Sequence, residues 1–279
     1  MDNSQPAAAK GKSLLSRLLS IPFALITGLA VSLFITPGCQ SFQTINVVQH
    51  VSQDRQTQLM REASESVFKV VSGDGGQGSG VLVAPDLILT DAHVVFAGDV
   101  DHDRDLDLFL PGHVERNRPG LPGVWLVEYD VIFADLALDL ALLKLREPLP
   151  GAPVAVFPTE RDLKRLKIFE PVFVIGFPLG VRDPNLTEGR ITDLWEGNWI
   201  RYSAWSYFGN SGGPIFAWNE DGKPFVVSLC QRLVIDNYGI PLGELAFGIR
   251  PDLMVEFLER AKRHAEHKMP AQPEGEKVE

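Results

Sequence analysis

The sequence predicts an all-β protein of two packed barrels, closed by a C-terminal α-helix and preceded by an N-terminal signal or anchor segment. Three observations lead there. From Val67 onward, short apolar or alternating runs recur between Gly, Pro and Asp, with almost no helical pattern between them. The stretch they occupy is too long for one small barrel and suits two. At Pro251–Met269 the periodicity changes to helical, with Leu253, Met254, Phe257, Leu258 and Ala261 on one stripe and charges opposite.

Taken in order, Lys10, Lys12 and Arg17 precede the apolar run Leu18–Thr36, which ends at PGCQS. A basic start followed by an apolar stretch is the pattern of an export signal, and the run is long enough to span a bilayer as a helix. Gly38 directly before Cys39 is similar to a bacterial lipoprotein processing site, where cleavage would leave Cys39 as a lipid-bearing first residue. Lipoprotein, uncleaved anchor and plain secretion all place the remainder outside the cytoplasm, in a bacterial cell envelope, with the membrane as a partner in the first two. Residues 39–61 read as a linker with a short helix over 54–63. Residues 62–250 hold the strand runs VFKVVS, SGVLVAPDLILT, GVWLVEYDVIFA, LALLKL, PVFVIGFP, GRITDLW, IRYSAW, PIFAW, PFVVSLC and ELAFGI, with the division between barrels near 150–165. The helix follows over 251–269, and the polar tail 270–279 is predicted to be disordered.

Composition narrows the function. With 45% hydrophobic and 22% charged residues among 279, the chain can bury a substantial core. Its formal charge of −10 has no basic cluster in the body of the chain, which excludes nucleic acid as an expected partner. Two cysteines, Cys39 and Cys230, do not make a disulfide framework.

The segment FGNSGGP, Phe208–Pro214, surrounds Ser211 with glycines. Such residues are ordinary turn material, but they also strip bulk from around a hydroxyl. Serine is a poor nucleophile unless a base lies within hydrogen-bond reach and a third group fixes that base. Of the six histidines, His50 lies in the linker, His264 and His267 on the polar side of the terminal helix, and His102 and His113 in a polar, acidic segment. His93, in LILTDAHVVFAG, directly follows an apolar strand, where a rigid element can present it to solvent. Asp139 interrupts the apolar run Leu136–Leu143, where a carboxylate needs a hydrogen-bond partner. Asp135 competes with it, nearer the edge of the run. Asp139 is preferred as the more enclosed.

The blocks TDAHVV, DLALLKL and GNSGGP, in that order and with GSGVLV ahead of the histidine, resemble the chymotrypsin-like serine proteases, most of all the bacterial HtrA/Deg type. VFVIGFPLG, TEGRIT and LAFGI resemble that family's later strands, so the likeness covers about residues 62–260. The resemblance implies two six-stranded barrels with a cleft between them. His93 and Asp139 would come from the first barrel and Ser211 from the second, as a catalytic triad. The N–H groups of Gly209 and Ser211 would form an oxyanion hole. Trp205 and the strand Ser228, Leu229 and Cys230 would line the substrate, which would be a protein or peptide. No carboxylate stands at the pocket base, so cleavage after Arg or Lys is not implied; Trp205 would shorten the pocket in favour of small or medium apolar residues. The block RYSAWSYFGNSGG is bulkier and more aromatic than the family's usual small residues. No PDZ module fits after the helix, so peptide sensing through one is not expected, and a homo-oligomer stays open.

Rival readings are weaker. A protease-like domain tethered at Cys39 could bind peptides or unfolded proteins without cutting them, but such a scaffold has no reason to keep a triad. GNSGG also fits an esterase elbow, yet its surroundings are β throughout. The aspartates of GDVDHDRDLDL read as a solvated acidic loop rather than a Ca²⁺ site. SGDGGQGSG lacks GK[ST] and is not a phosphate loop. His264 and His267 have no third ligand. No cofactor and no metal are expected.

Overall fold

The computed structural model describes residues 53–96, 109–117 and 123–268. The segment 1–38 with its apolar run, Cys39, the acidic loop Gly98–Leu108 and the tail 270–279 lie outside the described residues. Helix α1 occupies 53–64 and sets Met60 and Ala63 against the core.

Among the described residues the chain forms twelve strands, which close into two antiparallel barrels of six. The first holds β1 (Val67–Ser72), β2 (Gln77–Ala84), β3 (Leu87–Thr90), β4 (Gly112–Asn117), β5 (Val124–Asp135) and β6 (Leu140–Leu145) in the order β1-β2-β3-β6-β5-β4. The second holds β7 (Pro171–Gly176), β8 (Asn185–Glu196), β9 (Trp199–Tyr202), β10 (Pro214–Trp218), β11 (Pro224–Ile235) and β12 (Pro241–Ile249) in the order β10-β11-β12-β9-β8-β7. Closure removes the exposed edges of an open sheet. Three helices complete it: α2 (Ala92–Val95), α3 (Glu160–Arg165) and α4 (Pro251–Lys268). Helix α3 begins in a capping box between Thr159 and Asp162, which satisfies two amides at its start. No helix among the described residues is long and apolar enough to cross a membrane.

The ten apolar runs become twelve strands for two reasons. SGVLVAPDLILT is a hairpin, β2 and β3, turning at Pro85–Asp86. Strand β4, GHVERN, carries no apolar run at all. Its inward positions are Val114 and Arg116, and the arginine is 5% exposed, donating to the carbonyl of Ser64. A polar segment can be a strand when its one buried cation meets backbone carbonyls. Burial pushes the Arg116 guanidinium down to about 10.

Buried side chains fall into three clusters. Phe68, Val70, Val95, Tyr129 and Leu143 fill the first barrel. Ile191, Tyr202, Ile215, Val227 and Cys230 fill the second. The third lies between them, where Val67, Val81 and Leu142 meet Phe173, Phe216 and Leu229. Helix α4 caps this interface with Met254, Phe257, Leu258 and Ala261, the stripe read from the sequence. Phe257 also meets Phe133, with ring centroids 5.3 Å apart. The crossing chain stitches the barrels further, since Ala155 N donates to Leu82 O and Val226 N to Val156 O.

Candidate active site

Helix α2 is a single turn whose Ala92, Val94 and Val95 are buried in the first barrel. That anchoring leaves His93 on its outer side, with 46% of the side chain exposed. Asp139 reaches it from the turn between β5 and β6, where its own backbone is left-handed at φ 55°. Non-glycine residues rarely adopt that conformation without surrounding support. Here Asp139 O accepts from Ala92 N, and both carboxylate oxygens are spent on His93. Oδ1 accepts from the His93 backbone N–H at 2.9 Å, and Oδ2 lies 2.7 Å from Nδ1.

Asp135 has a different task. Its Oδ1 accepts from Ala137 and Leu138 N, shaping the turn, while Oδ2 is 2.7 Å from Arg260 of α4. Enclosure does not separate the two acids, because their side chains are 21% and 18% exposed. Asp139 is thus the acid on His93 without being the more enclosed of the pair. Position in the turn decides it.

Ser211 lies in the loop leading to β10, half-buried. The carbonyls of this loop are all turned to other partners. Phe208 O accepts from Leu179 N (2.7 Å), Gly209 O from Ser79 Oγ (2.7 Å), Asn210 O from Gly213 N (2.8 Å) and Ser211 O from Ser79 N (2.7 Å). Among the described residues, the N–H groups of Gly209 and Ser211 donate to no protein acceptor. Gly209 has φ 95°, and a Cβ there would come within 2.5 Å of the Phe177 carbonyl oxygen. Only glycine fits that combination. The aromatic run before the serine thus leaves the loop's carbonyls engaged away from those two amides.

Ser79, in the sequence no more than a flank within GSGVLV, organises this loop. Its Oγ accepts from Phe177 N at 2.9 Å and donates to Gly209 O, and its own N–H holds Ser211 O. Ser79→Ala strands a buried amide and a carbonyl at once. We expect kcat/KM for a peptide substrate to fall on the order of tenfold, with KM nearly constant, in steady-state assays of the purified variant.

Asp91 and Gln231 are also invisible to sequence reasoning. Asp91 stands at the N-cap of α2 but makes no side-chain cap bond. Instead its Oδ2 accepts from Gly212 N at 2.6 Å, which brings the Ser211 loop against the His93 turn. Gln231 Nε2 donates to Leu138 O and Asp139 O. The signal that could have exposed Asp91 is an acid placed directly between an apolar strand and the histidine.

The residues assigned to substrate divide. Trp205 is exposed and stacks on Tyr207 with centroids 5.5 Å apart, and Phe208, which also contacts Tyr207, and Leu179 are exposed as well. Ser228, Leu229 and Cys230, in contrast, are buried, with both strand edges taken. Leu229 pairs with Pro214, Ser228 with Ile215 and Cys230 with Gly248, while Cys230 N donates to Gly213 O. Their side chains fill core rather than line a cleft. Beyond them, Arg232 to Ile235 pair with β12 alone among the described residues, and Gln231 sits at a bulge paired with neither strand, so the open edge starts one residue later than expected. Burial pushes the Cys230 thiol up to about 12, and this cysteine is unpaired.

His93 titrates in a mixed environment. Burial, the largest influence, lowers it, but the hydrogen bond to Asp139 and the neighbouring carboxyl groups of Asp91 and Asp139 outweigh burial and the opposing Arg232, leaving it above 6.5.

Known proteins share this fold. Residues 78–227 match the family described as trypsin-like peptidase domain, more than half of the chain. No curated protein matches. Among solved structures the chain is similar to the serine endoprotease from Yersinia pestis, at 23% identity and a TM-score of 0.56, over 75% of this chain and 66% of that one. It thus spans slightly less than two thirds of that protein. It is also similar to an inactive mutant form of Rv3671c from M. tuberculosis, at 23% identity and TM-score 0.51 over 78% and 93% of the two chains. A third likeness is to Deg5, at 23% identity and TM-score 0.55 over 74% and 92%. At these identities the likenesses establish a shared fold.

Proposed function

The chain belongs to the trypsin-like peptidase domain family, and from that premise we propose that it is a serine endopeptidase working through His93, Asp139 and Ser211. The observation that carries the proposal is the double hold of Asp139 on His93, one carboxylate oxygen on the ring and one on the backbone. That hold fixes the tautomer with its proton on Nδ1 and leaves Nε2 as a base.

Ser211 Oγ attacks the peptide carbonyl while its proton passes to His93 Nε2. The oxyanion is received by the N–H groups of Gly209 and Ser211, whose free donors support this role. Collapse breaks the C–N bond, and His93 returns the proton to the leaving amine. Water then enters by the same route, and its attack releases the acid and regenerates Ser211. Charge at Asp139 stabilises the imidazolium throughout.

The substrate backbone adds as a strand along the open edge of β11 from Gln231. Trp205, Tyr207, Phe208 and Leu179 make that approach apolar, which suits apolar rather than charged side chains next to the scissile bond. An export or anchor segment at Leu18–Thr36, with lipid on Cys39, would present the enzyme to unfolded or exposed proteins of the envelope.

Labelling the purified protein with a fluorophosphonate, beside Ser211→Ala, tests the reading. A label lost in the variant supports an activated serine. A folded wild-type protein that takes no label sinks the hydrolase and leaves a peptide-binding domain.

The pH dependence follows from His93. A raised value means that the imidazolium persists to higher pH, so the base is absent below it. We expect kcat/KM to fall on the acid side with a midpoint above 6.5. A pH–rate profile with an acid midpoint below about 6 would contradict this geometry.

A further inference from the structure

Asp91 is wholly buried, and one of its oxygens has no partner. Oδ2 takes the Gly212 N–H, but Oδ1 has none. Gln231 presents the same problem from the other side. Its two Nε2 hydrogens are committed to the carbonyls of Leu138 and Asp139, which fixes the amide orientation, and its buried Oε1 accepts nothing. Reversing the amide would turn Oε1 onto two carbonyl oxygens. Asp139 O accepts from both Gln231 Nε2 and Ala92 N, and Gly212 N donates to both Asp91 Oδ2 and Cys230 O, so Asp91 and Gln231 are neighbours through partners that they and their adjoining residues share. A proton between the two orphan oxygens would satisfy both, and of the two side chains only Asp91 can carry it.

We propose that Asp91 is a neutral carboxylic acid in the working protein, a positioning residue that donates from Oδ1 to Gln231 Oε1. One chain of hydrogen bonds then runs from the Ser211 loop through Gly212 N–H, Asp91 and Gln231 to the carbonyls of the Asp139 turn. It joins three segments that each carry a member of the triad, and it draws on both barrels. Asp91 touches neither substrate nor reacting atoms; it acts through the loop and the turn it links.

The surroundings agree. Burial, first, and the charge of Asp139, second, raise Asp91 well above the usual carboxylate range, against lowering by His93, Gly212 N–H and Gln231. An oxygen of each acid and a nitrogen of His93 fit within 4.8 Å, too close for two carboxylates to ionise readily with one imidazole. From the second barrel the nearby titratable groups are Tyr202 and Cys230, both held neutral by burial, and Arg232 faces His93.

The kinetic arm of the test rests on the peptidase reading, and the stability arm does not. Asp91→Ala removes both bonds and should lower kcat on the order of tenfold or more, whereas Asp91→Asn, which keeps an acceptor for Gly212 and a donor for Gln231, should restore it to within about threefold. The acid limbs of the wild type and the Asn variant should coincide. If Asp91 were ionised, Asn would remove a negative charge beside His93 and move that limb to lower pH, which would overturn the proposal.

The second arm compares unfolding midpoints from about pH 4 to 8. A carboxyl held above its unfolded value near 3.9 contributes stability fully present below that value and lost as pH rises toward the folded one. The wild type should therefore lose stability relative to the Asn variant across that range; parallel curves overturn the proposal. Should the Asn variant not fold, the ¹³C carboxyl shift of Asp91 in the wild type at neutral pH decides directly. A carboxylate shift sinks the proposal. A falling stability difference in a protein that takes no fluorophosphonate would remove the peptidase reading and leave Asp91 neutral.

Discussion

Replacing Ser211 by alanine is expected to lower kcat on a peptide substrate by about 10⁵-fold or more, with KM nearly unchanged. The size of the effect follows from the absence of any substitute nucleophile. Cys230, the one cysteine among the described residues, is buried with its thiol pushed up to about 12, and no other hydroxyl in the Phe208–Pro214 loop could replace Ser211. The fold should be indifferent to the change, because the backbone C=O of Ser211, not its side chain, bonds the loop to Ser79. Equal unfolding midpoints with lost turnover would be the signature. A variant that kept a tenth of the wild-type rate would place the chemistry elsewhere.

Asp139→Asn is expected to be nearly as damaging, about 10⁴-fold in kcat. An asparagine carboxamide can keep the bond from the His93 backbone N–H, so α2 should stay in place. What it cannot do is accept at both positions. With an NH₂ facing Nδ1, the imidazole carries its proton on Nε2 and presents a donor to Ser211 where an acceptor is required. Loss of turnover should therefore come with slow fluorophosphonate labelling and an unchanged near-ultraviolet circular dichroism spectrum. By contrast, Asp135→Asn loosens Arg260 of α4 and should cost stability rather than turnover, which separates the two acids by experiment.

Much of this architecture is legible in the amino-acid sequence. Ten apolar runs, punctuated by turn residues, mark all the strands but one, because barrel interiors demand apolar side chains at alternate positions and the punctuation marks the hairpins. Strand β4 is hidden because its buried positions include Arg116, whose burial depends on carbonyls far away in sequence. The site divides the same way. His93, Asp139 and Ser211 announce themselves through local sequence: a polar residue at the end of an apolar strand, an acid within an apolar run, a hydroxyl among glycines. Ser79, Asp91 and Gln231 do not, since their work is defined by partners on the other barrel. The open edge of β11 is displaced from the residues that sequence reasoning chose, for a related reason. Which residues of β11 face an open edge depends on where β10 begins, and that register is a property of the pairing between strands.

The bonds that tie the serine loop to the first barrel join residues very far apart in the chain. Ser79 and Gly209 are separated by 130 positions, and Asp91 and Gly212 by 121. Contacts of that range close late, after local hairpins have formed. A nascent copy consequently holds Ser211 and His93 as unconnected pieces. The site stays unassembled until the second barrel has docked, so the topology itself serves as a timer on whatever the site does.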